Sequence, residues 1–267
     1  TKTSRKGYTA SVGYSETIFE ERPTVFDYSV TLSGYSDLDR LPDYQNVAPT
    51  ADKFLSLGLK LNYSALMRTL GANDPEKGMK ASVSFSSKYG TRKYFPRAYS
   101  TFDYGVILWE HSSLWLRTAA GKSFGDRGNT LANFYFGGFG NNWVDHGEIR
   151  RYRDYYSFPG VEINDLGGTN FGKVALEWDL PPLRFKRVGF PIAYANWARL
   201  ALISTGLVTN MESDALRQKA LSLGAQVDVK LVLFSNLEST LSGGFAASFR
   251  PDLRRTREWM VSLKILR

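Results

Sequence analysis

The stretch Leu55–Ala65, "LSLGLKLNYSA", decides how this chain is read. Leu55, Leu57, Leu59, Leu61, Tyr63 and Ala65 fall on one side of an extended backbone. Ser56, Gly58, Lys60, Asn62 and Ser64 fall on the other. Successive side chains of a strand point to opposite faces, so the alternation predicts a strand with one apolar and one small or polar face. The pattern recurs in Leu221, Leu223, Ala225, Val227, Val229, Leu231 and Leu233 against Ser222, Gly224, Gln226, Asp228 and Lys230. It recurs again in Val174, Leu176, Trp178 and Leu180 against Lys173, Ala175, Glu177 and Asp179.

Extended outward, the period of two predicts strands near 7–16, 24–36, 55–65, 77–88, 100–111, 113–124, 169–180, 188–205, 221–234, 238–249 and 256–266. At about 9–15 residues they exceed the common soluble length of about 5–6. A tilted membrane strand needs about 9–11 residues and turns its apolar face to lipid. Lipid offers the backbone no hydrogen bonds, so such a sheet must close. Aromatics make up 14% of the chain, with 15 Tyr and 17 Phe, and those near strand ends suit interfacial girdles. The expected fold is an all-β transmembrane antiparallel β-barrel over residues 1–267. A soluble sandwich or lipocalin-like barrel is the alternative.

The chain has no cysteine, which excludes disulfides and thiol chemistry, and only two histidines, His111 and His146. The formal charge of +8 is compatible with anionic partners. The basic residues are spread over loops without a base-reading module, so nucleic acid is not expected. No stretch reads as a membrane helix; the best, 190–207, is interrupted by Asn196 and Arg199. The start, "TKTSRKGYTASVGYS", has no signal-peptide character and reads as a mature or cut chain.

Strand parity gives a topology. With the C-terminus on the inner side, outer connections fall at 37–52, 89–99, 125–168, 206–220 and 250–255. Inner ones fall at 17–23, 67–76, 111–113, 181–187 and 235–238. This requires "NFYFGG" (Asn133–Gly138) to belong to the long loop and not to a spanning strand. About eleven strands result. Bacterial barrels have even numbers, so either N-terminal strands lie outside this chain or it holds a complete barrel of twelve.

"ANFYFGG" (Ala132–Gly138), the long loop, "LGGTNFGKVALEWDLPPL" (Leu166–Leu183) and the alternating C-terminal strand resemble the bacterial surface antigen superfamily of BamA-like assembly factors and two-partner secretion transporters. In that family an aromatic-Gly-Gly stretch opens a loop that folds into the lumen, and a Gly-Gly segment returns to a strand carrying a central Glu. Phe134, Phe136, Gly137, Gly138, Gly167, Gly168 and Glu177 match by position. The resemblance implies a sixteen-stranded barrel, with this chain its C-terminal part and 125–168 an extracellular loop folded inward. It implies insertion or export of polypeptides at the outer membrane of a Gram-negative bacterium, with assembly subunits and client polypeptides as partners. It also implies a weak seam at the last strand, with Trp259, Val261, Leu263 and Ile265 on its apolar face. The chain departs from the family pattern by lacking an Arg-Gly-aromatic loop tip and the Asp of the next strand, here "LISTG" (Leu202–Gly206). The loop cations are Arg150, Arg151 and Arg153, with "NNWVD" (Asn141–Asp145) and "FPGVE" (Phe158–Glu162) as alternatives for the tip. These departures favour an anchor or passive pore for an upstream domain as the second reading.

Glu177, on the polar face, is expected to meet a loop arginine. Lys88, Arg92, Lys93 and Arg97 on one outer loop, and Arg254 and Arg255 on another, are candidates for lipopolysaccharide phosphates. His111 and Ser113 invite comparison with barrel lipases, but the stretch reads better as a tight turn, and no catalytic residue is assigned. Asp145, His146 and Glu148 lack a second cluster to complete a metal site. No cofactor is expected.

Overall fold

A computed structural model describes residues 7–38, 51–70, 72, 74–145, 148–190, 192–234, 237–251 and 253–265. Six long strands come first: β1 (Tyr8–Glu21), β2 (Thr24–Ser36), β3 (Phe54–Met67), β4 (Lys77–Gly90), β5 (Lys93–Trp109) and β6 (Ser112–Ser123). The long loop carries β7 (Phe134–Phe136), β8 (Val144–Asp145), a 3-10 turn (Arg151–Arg153) and β9 (Leu166–Gly168). Then follow β10 (Asn170–Asp179), β11 (Leu183–Phe190), β12 (Ala193–Thr209), β13 (Gln218–Leu233), β14 (Leu237–Arg250) and β15 (Leu253–Ile265). The chain is thus all-β, and its main element is a sheet of 13 strands.

Its order is β1-β2-β3-β4-β5-β6-β10-β12-β13-β14-β15-β8, with β11 also on β12. Every pairing is antiparallel except the last, where β8 runs parallel to β15. β7 and β9 pair only with each other, Phe134 opposite Gly168 and Phe136 opposite Leu166.

Register carries the alternation across the whole sheet. Leu32 stands beside Leu57, Leu59 beside Phe85, Tyr104 beside Leu116, and Leu116 beside Leu176. Farther along, Leu202 meets Ala225, Ala225 meets Phe245, and Phe245 meets Trp259. This apolar face is uncovered: Leu57, Val174 and Trp259 are 53%, 51% and 78% exposed. The opposite face is polar yet buried over β6–β15, where Glu177, Asp179, Asp228 and Ser242 are at most 2% exposed. The burial pattern is therefore inverted relative to a soluble sandwich, whose apolar face is inside.

Three predicted connections differ; of 17–23, residues 17–21 are strand and only Arg22-Pro23 turn. Residues 89–99 are not a loop: β4 runs to Gly90, β5 starts at Lys93, and the ladder passes through Pro96 opposite Ser87. Pro96 looks like a breaker in sequence, but its carbonyl accepts from the Phe124 N–H at 2.9 Å. Likewise 181–187 is not a turn. Pro181-Pro182 interrupts the strand, and β11 then continues along β12, with Leu183 opposite Ala198 after Asp179 opposite Ala201. The predicted strand 188–205 is the hairpin β11–β12. Most of 37–52 lies outside the described residues.

Candidate functional site

The loop between β6 and β9 packs onto the polar face. Phe134 and Phe136 project to the same side of β7 and are 1% and 0% exposed. They pack around Phe171 of β10, with ring centroids 4.9 and 4.8 Å away, beside Ala119, Leu207 and Ala220 of three further strands. Gly137 and Gly138 then reverse the chain at φ of 153° and 72°. A Cβ on Gly137 would lie 1.9 Å from the Glu162 carbonyl oxygen, so glycine is required there. Gly167 and Gly168 instead serve close approach: a Cβ on Gly168 would meet Thr209 and Asn210 at 2.9 Å.

The centre of the contact is a charge cluster. Arg150 Nε donates to Asp228 Oδ2 of β13 at 3.0 Å. Its Nη1 donates to Glu177 Oε1 at 3.3 Å and to Asp179 of β10. Arg153 Nη2 donates to Glu177 Oε1 at 2.6 Å, and the Tyr152 hydroxyl donates to the same oxygen at 2.7 Å. Two strand residues complete the cluster. Arg117 of β6 joins Glu177 (2.6 Å) to Asp103 of β5 (2.8 Å). Arg199 of β12 joins Asp179 (3.0 Å) to Asp74 of the β3–β4 connection (2.9 Å). Four guanidiniums thus meet the carboxylates of Glu177, Asp179, Asp228 and Asp103; Arg150, Arg199, Glu177, Asp179 and Asp228 are buried, while Arg117, Arg153 and Asp103 keep a partly exposed edge.

Burial by itself would lower the pKa of Arg150. The carboxylates of Asp179, Asp228 and Glu177 outweigh it and hold that guanidinium above its ordinary value. For Arg153, burial is likewise outweighed by the carboxylates of Glu177 and Asp179. Burial, reinforced by the Glu177 charge, pushes the Tyr152 phenol well above its ordinary value, so it remains a donor. Every charge in the cluster is compensated, as burial requires.

Two further anchors flank the cluster. Lys173 of β10 donates to the carbonyls of Asp154 (2.8 Å) and Ser157 (2.6 Å). Glu258 of β15 accepts from the N–H groups of Phe139 (3.2 Å) and Gly160 (2.8 Å), while Thr256 donates to the Gly160 carbonyl at 2.6 Å. The loop therefore touches both β10 and the last strand. Beside it, a cavity of about 450 Å³ opens toward β3–β6, lined among others by Lys60, Lys80, Asp103, Arg117 and Lys173.

Of the residues singled out in sequence, Arg150, Arg153 and Glu177 are brought together. Arg151 is not on Glu177; its carbonyl accepts from Ser157 Oγ at 2.7 Å. Asp179, Asp228, Arg117, Arg199, Tyr152 and Glu258 were not predicted as partners, although the alternation puts the first two on the polar face. The cationic set is dispersed. Arg92 is exposed in the β4–β5 turn. Lys93 lies 3.8 Å from Asp126, and Lys88 lies over the Phe54 ring. Arg97 turns to the loop: its Nε donates to Ser86 at 2.9 Å and its guanidinium stacks 5.5 Å from Phe134. It is thus removed from the outward-facing set, because β5 extends where a loop was expected. Arg255 lies over the Phe249 ring, and the Arg254 side chain is outside the described residues. On β15, Trp259 and Val261 are exposed, and Leu263 and Ile265 are half-buried.

His111 Nδ1 meets Glu76 at 3.1 Å, while Ser113 is fully buried and accepts from Trp115 Nε1 at 3.1 Å. Among the described residues no hydrogen bond joins His111 to Ser113. His146 and the Asp145 side chain lie outside those residues. No family model matches the sequence, and no curated protein matches it either.

Proposed function

We propose that this chain is the C-terminal part of an outer-membrane β-barrel of a Gram-negative bacterium, resembling BamA-like factors, that acts in insertion or export of polypeptides. The observation that carries the reading is the loop bound to the polar face through Arg150 and Arg153 at Glu177. In the resembled family an arginine of the inward loop meets the barrel wall, and here two arginines of the 3-10 region take that role without the Arg-Gly-aromatic tip. The uncovered apolar face suits lipid, since soluble chains rarely expose a contiguous apolar surface of this extent. Strands of 10–17 residues, from β10 to β5 and β12, suit the span. On this reading Arg92 and Arg255 would meet lipopolysaccharide phosphates. Assembly subunits and client polypeptides would be its protein partners.

A second reading, a membrane anchor or passive pore, is favoured by the polar side of β1–β4. Ser11, Ser15, Thr31, Ser33, Ser56 and Ser64 alternate there with the apolar row; the ion pairs of Arg150 and Arg153 lie on β10 and β13, and on this side the loop packs Leu131 beside Phe54 of β3 and Gly90 of β4. For a lipase reading, the described residues hold no hydrogen bond between His111, which meets Glu76, and Ser113, which accepts from Trp115.

Reconstitution separates the first two. The protein in lipid vesicles is expected to accelerate insertion of an unfolded barrel substrate. Ion conductance without any acceleration would favour the pore and overturn the assembly reading.

A further inference from the structure

The β11–β12 and β13–β14 turns lie at the end of the sheet opposite the roots of the long loop, Ser123 and Asn170. Three large side chains stand open there: Phe190, Ile192 and Phe234 are 79%, 62% and 73% exposed. A main-chain bond ties the two turns together, the Phe234 N–H donating to the Ile192 carbonyl at 2.7 Å. Phe234 holds a φ of 50°, in the left-handed region that bulky residues avoid. A turn that faced only water would relieve this cost with Gly or Asn.

Two features say what covers this tip. The first is continuity. Register places Leu183, Val188 and Phe190 beside Ala198, Ala195 and Ala193, and these beside Val229, Leu231 and Leu233. The tip therefore prolongs the uncovered apolar face of the sheet. The second is charge. The sequence of β11, "LRFKRVGF", carries three cations, and from Leu180 to Met211 there is no Asp or Glu. Lys186 is exposed. Glu238, which β14 sets opposite Val232, is already paired with Lys230 at 2.7 Å. Aromatic and aliphatic side chains beside a basic run suit the boundary between phosphate headgroups and acyl chains. An acidic protein would match the cations but not the unbroken apolar row.

We propose that the tip of the β11–β12 hairpin, together with Phe234, is an anchor that binds the surface of an anionic phospholipid leaflet. Phe190, Ile192 and Phe234 enter below the headgroups, while Lys186 and the basic run around it meet the lipid phosphates. The anchor rests on the reading that the apolar face meets lipid, and it adds a dependence on lipid charge that the rest of the face lacks.

The test uses the full chain, which has no cysteine, with a fluorophore on Ile192→Cys or, separately, on Leu57→Cys of β3. Each protein is reconstituted in vesicles of phosphatidylcholine alone or mixed with phosphatidylglycerol, and acyl-brominated lipids report immersion by quenching. The Ile192→Cys label should be quenched more in the anionic vesicles, and high salt should remove the difference. Lys186→Gln should lower its ratio of immersed to aqueous label about fivefold in those vesicles. The Leu57→Cys label should be quenched alike in all of them. Equal quenching of the Ile192→Cys label in neutral and anionic vesicles would overturn the anchor. So would its absence in both, the result expected of a tip that docks a protein. In either case a quenched Leu57→Cys label would leave the membrane reading standing. An unquenched Leu57→Cys label would overturn that reading and the anchor with it. The comparison of lipids on one labelled protein stands even if Lys186→Gln misfolds.

Discussion

Arg150 and Asp228, 78 residues apart in sequence, lie 3.0 Å apart in the fold, and both are nearly inaccessible to water. One comes from the long loop and the other from β13, so their contact reports whether the loop is seated. Removing one partner leaves the other charge buried and uncompensated, which costs about 3–5 kcal/mol. Arg150→Ala should therefore lower stability by that amount in urea unfolding and expose Arg151 and Arg153 to trypsin. The double change Arg150→Met with Asp228→Leu should cost less than Arg150→Ala. An equal or greater loss in the double variant would show that the pair is not the seat of the loop.

Gly137 and Gly243 give contrasting expectations for the same substitution. Gly137→Ala forces a Cβ into the Glu162 carbonyl at a φ of 153°, whereas a Cβ at Gly243 meets nothing within 4 Å. The first should destabilise by roughly 2 kcal/mol or more, and the second by well under about 1 kcal/mol. Paired unfolding curves of the two variants check this.

Phe136 fills the space among Phe171, Leu207 and Ala220 without exposure. Phe136→Ala should cost about 3–5 kcal/mol. Phe85→Ala, on the uncovered face at 50% exposure, should cost far less in detergent. Similar losses at both positions would contradict the assignment of faces.

Glu76 sits between Thr69 and His111 where the β3–β4 connection meets the β5–β6 turn. Burial pushes its carboxyl up, but the hydrogen bonds from Thr69 and His111 outweigh it and hold the pKa below the ordinary 4.5. A carboxyl depressed in the fold stabilises it above its ordinary pKa, and this contribution is lost as pH falls through the depressed value. Stability should therefore decline below about pH 4.5 in the wild type, and less steeply in Glu76→Gln. Parallel acid titrations with identical slopes would refute this.

The face of each strand was legible because the period of two persists through Leu55–Ala65, Val174–Leu180 and Leu221–Leu233. The place of Phe134 and Phe136 in the loop was legible from strand parity. The partners of Glu177 were only half legible. Arg150 and Arg153 are near it along the chain, but Arg117, Asp179 and Asp228 converge through register, which a period of two leaves open. The hairpin at Gly90–Lys93 was hidden by Pro96, which the ladder tolerates, and the continuation of β10 into β11 by Pro181-Pro182, which interrupts the ladder without turning the chain away from β12. Glu258 and β8 were not legible, since their bonds are to the backbone and carry no side-chain signal.

The most direct test of the inverted faces returns to β3. The chain has no cysteine, so single cysteines can be placed at Leu57, Leu59, Lys60 and Ser64 without interference. With the protein in lipid vesicles, a charged, water-soluble thiol reagent should label Lys60→Cys and Ser64→Cys and spare Leu57→Cys and Leu59→Cys. Labelling of the two leucine positions at the rate of Lys60→Cys would contradict the proposed placement of the apolar face against lipid.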